Sequence, residues 1–260
     1  MCPRFILCRQ WKKVRHSGTA CGIEWTEVFA MFITFKKWTA LYVLVLLLLF
    51  GGFAAILWQG SAINTSKNLA LAQGMGVLVI DPGHGGFDGG AVADDGTVEA
   101  QINLAVALQM EEIARLVGVD TILTRREDAA LDDPAAGTVR QRKVSDLKNR
   151  VELVNQVQGG ILVSIHQNSL PEVKSVHGAQ AFYNSSGEAL AQAVQEALNQ
   201  VINDRPKESK AAGSGIYLLD HVQTPAVLVE CGFLSNREET ALLKSQAHQI
   251  RLALTIFSAA

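Results

Sequence analysis

Cysteine is scarce in this chain and poorly placed for crosslinking. Of four cysteines, Cys2, Cys8 and Cys21 lie in the first thirty-seven residues, so Cys231 stands alone in the body of the chain. No internal disulfide closes there, which excludes a disulfide scaffold and a cysteine-rich zinc finger. Positive charge is short as well. Residues 75–260 carry fifteen Lys and Arg against twenty-three Asp and Glu, whereas residues 1–37 carry seven against two. An acidic body lacks the electrostatic footprint that a phosphate backbone requires, which argues against nucleic acid as a partner. Internal repeats of the usual periods are also missing.

One feature is present in excess. From Thr39 to Trp58 the chain runs twenty residues without a charge, enough helix at about 1.5 Å per residue to cross an apolar bilayer core of about 30 Å. Lys36 and Lys37 precede the run and only Lys67 follows it before the body, so the positive-inside rule puts the N-terminus in the cytoplasm and the body outside. Trp38, Tyr42 and Trp58 sit near its ends, where amphipathic rings favour the membrane–water interface. The expected organisation is a basic cytoplasmic tail over 1–37, a transmembrane or signal-anchor helix over 38–58, a linker over 59–74 and a folded domain over 75–260. Two readings stay open. Gly60-Ser61-Ala62 offers a small-x-small cleavage pattern that would secrete the body. Met31 followed by FITFKK makes a compact start of its own, which would make residues 1–30 an over-called gene start.

The body alternates short apolar runs with amphipathic stretches. Val77–Ile80 reads as a strand buried on both faces. Ala100–Val117 reads as a helix stopped by Gly118. Further strands are expected at Val119–Thr124, Ile161–Ile165, Gly178–Tyr183, Ile216–Leu219 and Val227–Glu230. Helices are expected at Ser145–Val157 and Glu188–Ile202, with two more closing the chain, and Arg125–Arg142 reads as a long loop. This alternation predicts an α/β fold, a mixed, mostly parallel sheet with helices on both faces.

Histidine and glutamate fall where such sheets build sites, at the C-terminal ends of strands. His84 lies in Asp81-Pro82-Gly83-His84-Gly85-Gly86 after the first strand, and His166 directly follows Ile161–Ile165. Glu230 ends its strand and Glu99 opens the first long helix. Two imidazoles and one carboxylate around an open position make the donor set of a hydrolytic zinc ion, with a second carboxylate free to move a proton. Spacing alone leaves Glu99 and Glu230 interchangeable. The glycines around His84 lack both the G-x-G-x-x-G spacing and the P-loop lysine, which argues against a nucleotide. His177, His221 and His248 read as surface or loop histidines, and Cys231 as a small core residue. Arg140, Arg142, Lys143, Lys148 and Arg150 read as a solvated helix face, with one Arg available to an anionic substrate.

Four blocks resemble a known family. Ile80–Gly86, Glu99 with Asn103-Leu104, Ser164–Ser169 and Val229–Asn236 are similar, in order, to blocks of the zinc-dependent N-acetylmuramoyl-L-alanine amidases of the bacterial cell wall. The resemblance implies one Zn2+ held by His84, Glu99 and His166, and Glu230 as the catalytic glutamate. Further stretches, Arg142-Lys143 with Asp146-Leu147 and Arg150, Gly178–Asn184 and Ile216–Leu219, resemble the germination-specific, spore-cortex branch. It implies peptidoglycan as substrate, with muramic-δ-lactam formation as the setting, and admits an activating protein. The alternatives are a wall-binding module without turnover and a zinc peptidase acting on the stem peptide.

Overall fold

The computed structural model describes residues 76–133 and 135–260. The expected tail, anchor helix and linker lie outside the described residues. Among the described residues no helix is long and apolar enough to cross a membrane.

Six strands, β1 (Leu78–Pro82), β2 (Thr121–Leu123), β3 (Ile161–Asn168), β4 (Gln180–Tyr183), β5 (Lys210–Ala211) and β6 (Ala226–Phe233), form one sheet in the order β2-β1-β3-β6-β4-β5. The pairs β1·β2, β1·β3 and β3·β6 are parallel, while β4 runs antiparallel to β6. The expected mixed, mostly parallel sheet is therefore present, and the C-terminal ends of β1, β3 and β6 share one edge.

Alternation along the strands divides the core in two. On one face Leu78, Ile80, Val163, Ile165, Val227 and Val229 pack with α1 (Glu99–Val117), α3 (Glu188–Val201) and α6 (Gln246–Ala259). Helix α1 sends Ile102, Val106, Met110 and Ala114 into this core at four-residue spacing, all buried. It ends where Gly118 takes φ 78° and its N–H caps the carbonyls of Ala114 and Arg115, a left-handed turn that glycine adopts without steric cost. Burial of each large apolar chain contributes about 1.5–3 kcal/mol.

The opposite face carries Val79, Leu162, Ala226 and Leu228 under α2 (Val139–Asn155) and α4 (Tyr217–His221). Asp81, Ser164, His166 and Glu230 lie on this face by the same alternation. Helix α5 (Arg237–Leu243) starts at Asn236, whose side chain accepts from the N–H groups of Glu238 and Glu239.

Several expectations shift. The helix expected from Ser145 begins at Val139, because Thr138 caps it by accepting from Gln141 N–H, a Thr-x-x-Gln capping pattern inside the supposed loop. Ile216–Leu219, expected as a strand, is instead the N-cap and opening residues of the five-residue α4, with Leu218 and Leu219 buried. A four-residue apolar run has no period to separate strand from helix. Strand β3 continues through His166 to Asn168 and β6 runs past Glu230 to Phe233, so both residues sit within strands rather than at their ends. Strand β5, two exposed residues, carries no pattern that would announce it.

Candidate active site

The turn after β1 is held by two arginines. Arg125 donates from Nε to the carbonyl of Pro82 at 2.9 Å and from Nη2 to that of Gly83 at 3.0 Å. Arg150, 2% exposed on α2, donates to the carbonyls of Pro82 at 3.0 Å and His84 at 2.7 Å. Between them His84 is held at φ 60°, the only non-glycine residue with positive φ among those described. Such strain persists only where the surroundings over-determine it.

Arg150 is buried because its charge is matched. Its Nη1 lies 2.6 Å from Asp81 Oδ1 and its Nε 2.7 Å from Asp146 Oδ2. Asp81 also accepts from Ser164 Oγ and Thr124 Oγ1, each at 2.7 Å. Burial raises the Asp81 pKa, but the Arg150 charge and the two hydroxyls outweigh it and hold the carboxyl at about 2. Arg150 thus leaves the solvated face expected for the basic cluster, whereas Arg140 and Lys148 are exposed as expected. Arg142 pairs with Asp132, and Lys143 with Asp88 at 2.8 Å.

Above this network three predicted donors converge. His84, Glu99 and His166 place ligand-type atoms within 4.8 Å of one another. His84 Nε2 lies 3.3 Å and His166 Nδ1 3.1 Å from Glu99 Oε1, and the two rings meet edge to face at 5.0 Å. Glu99 reaches the cluster as the first residue of α1. Its Oε2 accepts from Ala91 N–H at 2.7 Å and its Oε1 from Gln167 N–H at 3.1 Å. Asn103, one turn on, joins the set by donating to the Gly83 carbonyl, and Gln167 Nε2 donates to Asn103 Oδ1. Close packing needs glycine here: a Cβ on Gly83 would lie 2.2 Å from the His166 ring, and one on Gly90 2.4 Å from Glu99 Oε2.

The two glutamates differ. Burial opposes ionisation of Glu99, but hydrogen bonds with His166 and His84 hold its carboxyl well below the usual range. Burial lowers the His84 pKa, yet hydrogen bonds to Asp88 and Glu99 overcome it and carry the imidazole up to about 9. Glu230 stands in register beside His166 on the next strand. Burial pushes its carboxyl up to about 7 against the lowering influence of His166, and its Oε2 is buried without a hydrogen-bond partner. Glu99 therefore shares the donor cluster, and Glu230 stands beside it with a carboxyl poised near neutrality.

A cleft of about 390 Å³ opens over His84, His166 and Glu230, walled by Leu147, Ile216, Tyr217 and Leu218. His177, His221 and His248 lie outside the cluster; His177 meets Asp204 and His221 stacks on Tyr217. Cys231 is fully buried, and its thiol is pushed up by burial, so it is the core residue expected. Sequence reasoning overlooked Asp88, Arg125 and Gln167 as supports of the cluster, since single polar residues in loops and strands carry no periodic signal.

The N-acetylmuramoyl-L-alanine amidase family model matches residues 78–260. The chain belongs to this family. It is 33% identical over 224 residues to the germination-specific N-acetylmuramoyl-L-alanine amidase of Bacillus subtilis (strain 168), covering 85% of this chain and 92% of that one. Among solved structures it is similar to the CwlD amidase of Clostridioides difficile, solved with the GerS lipoprotein, at 36% identity and TM-score 0.67, over 70% of this chain and 94% of that one. The amidase AmiC2 of Nostoc punctiforme matches at 32% identity and TM-score 0.61, over 72% and 96%. The chain is accordingly an N-acetylmuramoyl-L-alanine amidase, an enzyme of peptidoglycan.

Proposed function

We propose that this amidase is a zinc enzyme in which His84, Glu99 and His166 hold the ion and Glu230 moves the proton. The single observation that carries the reading is the convergence of three donors within 4.8 Å beside the unpartnered carboxyl oxygen of Glu230. Two imidazole nitrogens and one carboxylate match the donor set of hydrolytic zinc, and the glycines at 83 and 90 leave the donors room to approach one another. Zinc bound there supplies Lewis acidity, polarising the scissile carbonyl and acidifying water.

The chain's own residues do the rest. Glu230 takes a proton as water adds to the carbonyl joining the muramic acid lactyl group to L-alanine. It returns that proton to the alanine nitrogen as the C–N bond breaks, leaving a lactyl carboxylic acid and an amine, and the acid's proton passes to the amine to give carboxylate and ammonium. The Glu230 carboxyl is placed for both, in register beside His166 with one buried oxygen unpartnered. The apolar wall of Leu147, Ile216, Tyr217 and Leu218 keeps bulk water from one side of the cleft.

The setting is part of the proposal. The similarity to a germination-specific amidase supports spore cortex as the substrate and muramic-δ-lactam formation as the context. The uncharged run at 38–58 anchors the chain and residues 75–260 act outside the cytoplasm, where peptidoglycan lies. The complex of the C. difficile amidase with a lipoprotein supports an activating protein partner for this chain too.

Mass spectrometry of products tests the reaction. Incubated with zinc and peptidoglycan bearing intact stem peptides, the purified chain releases peptides that begin at L-alanine and leaves the glycan whole. Cleavage inside the stem would make it a peptidase, and zinc-loaded protein with no product in the presence of its partner would make it a binding module.

A further inference from the structure

The His84 ring is gripped on its far edge. Its Nδ1 lies 2.9 Å from Asp88 Oδ2, while Nε2 faces Glu99 and the donor cluster. The other oxygen of Asp88 lies 2.8 Å from Lys143 Nζ, and Asp88 itself does not belong to the cluster. The grip is built from neighbouring residues on two segments. Arg142 stacks over the Phe87 ring at 4.0 Å while Lys143 takes Asp88, so the first turns of α2 clamp the turn at two adjacent positions. Within that turn Gly85 N–H donates to Asp88 carbonyl at 2.8 Å and Asp88 N–H to Gly85 carbonyl at 3.1 Å. The backbone of His84 is fixed separately, by Arg150 at its carbonyl.

We propose that Asp88, held in place by Lys143, is a positioning residue that fixes the His84 ring with its proton on Nδ1 and its Nε2 lone pair toward the metal. The inference rests on the reading of His84 as a zinc ligand. An ionised carboxylate only accepts hydrogen bonds, so it keeps the proton on the nitrogen it faces and leaves the other nitrogen to coordinate. Lys143 keeps the carboxylate from turning away, and helix α2 thereby governs both the backbone and the ring of one ligand.

Zinc affinity, measured by chelator competition on the full chain, tests this without reference to turnover. Asp88→Ala should weaken zinc binding about 10–100-fold while the metal-free protein melts near the wild-type temperature. Lys143→Met should weaken it less, and the double variant should bind no worse than Asp88→Ala, since Lys143 acts through Asp88. Long-range proton–nitrogen NMR of the imidazole should show Nδ1 protonated in the zinc-loaded wild type. Asp88→Leu, close in shape but without an acceptor, replaces Asp88→Ala if that variant fails to fold. Affinity within twofold of wild type in the Asp88 variant, additive losses in the double variant, or a proton on Nε2 would overturn the proposal. A wild-type chain that takes up no zinc would instead overturn the ligand assignment on which it rests.

Discussion

The two faces of the sheet are made by the same strands and obey different chemistry. Beneath α1, α3 and α6 the inward strand positions Leu78, Ile80, Val163, Ile165, Val227, Val229 and Cys231 are apolar, Gln167 at the end of β3 being a polar exception, and the core is closed by side chains such as Met110, Leu252 and Ile256. Beneath α2 and α4 the apolar positions stop after Val79, Leu162 and Leu228, and Asp81, Ser164, His166 and Glu230 follow them toward the strand ends. One face stabilises by excluding water, which needs only size and shape. The other holds a buried ion network whose charges must be satisfied together, and its return is rigidity beneath the donor cluster rather than net stability.

Variants separate the two faces, and the largest effect belongs to the polar one. His84→Ala should lower zinc affinity by more than about 100-fold, beyond the range seen for residues that merely support a ligand, and abolish turnover; metal analysis of the purified variant checks this. Stoichiometric zinc in that variant would remove His84 from the site. Next, Arg150→Ala should cost about 3–5 kcal/mol by leaving Asp81 and Asp146 buried and unpaired. Met110→Ala should cost about 2–5 kcal/mol through its cavity. Denaturant melts give both values, and only the Arg150 variant should also lose zinc affinity. Equal loss of affinity in the two would erase the division between the faces.

A smaller effect is electrostatic. Asp81 titrates at about 2 in the folded chain, below its unfolded value, so its contribution is complete above about pH 4. That contribution, about 2 kcal/mol, is lost as pH falls from about 4 through 2. Melting the wild type and Asp81→Asn over this range checks it: the variant should start less stable and show a flatter acid dependence. Parallel curves would show that the Arg150 pair does not set the acid limit.

The apolar face was legible in sequence because it obeys a period. Ile102, Val106 and Met110 repeat at helical spacing, and Gly118 announces the stop. The clustered residues were legible for another reason, since His84, Glu99, His166 and Glu230 are polar residues that follow apolar strand runs or open a helix, and their blocks carry a family resemblance. What failed was short or non-periodic. Ile216–Leu219 is apolar in either conformation, and only its burial beneath α2 decides for helix. The start of α2 hid in a polar stretch whose Thr138 and Gln141 form a cap. Arg150 was grouped with exposed neighbours because charge suggests solvent, while its partner Asp81 lies 69 residues away in sequence. Long-range pairing of single polar residues is a property of the fold that no local pattern encodes.

The most direct test of the site is turnover by Glu230→Gln. The substitution keeps the shape of the side chain and removes its ability to accept and return a proton, so the zinc-loaded variant should release L-alanine-terminated peptide about a thousandfold more slowly than wild type. Zinc content should be unchanged. Release at the wild-type rate with zinc in place would contradict the assignment of Glu230 and with it the division of labour between the two glutamates.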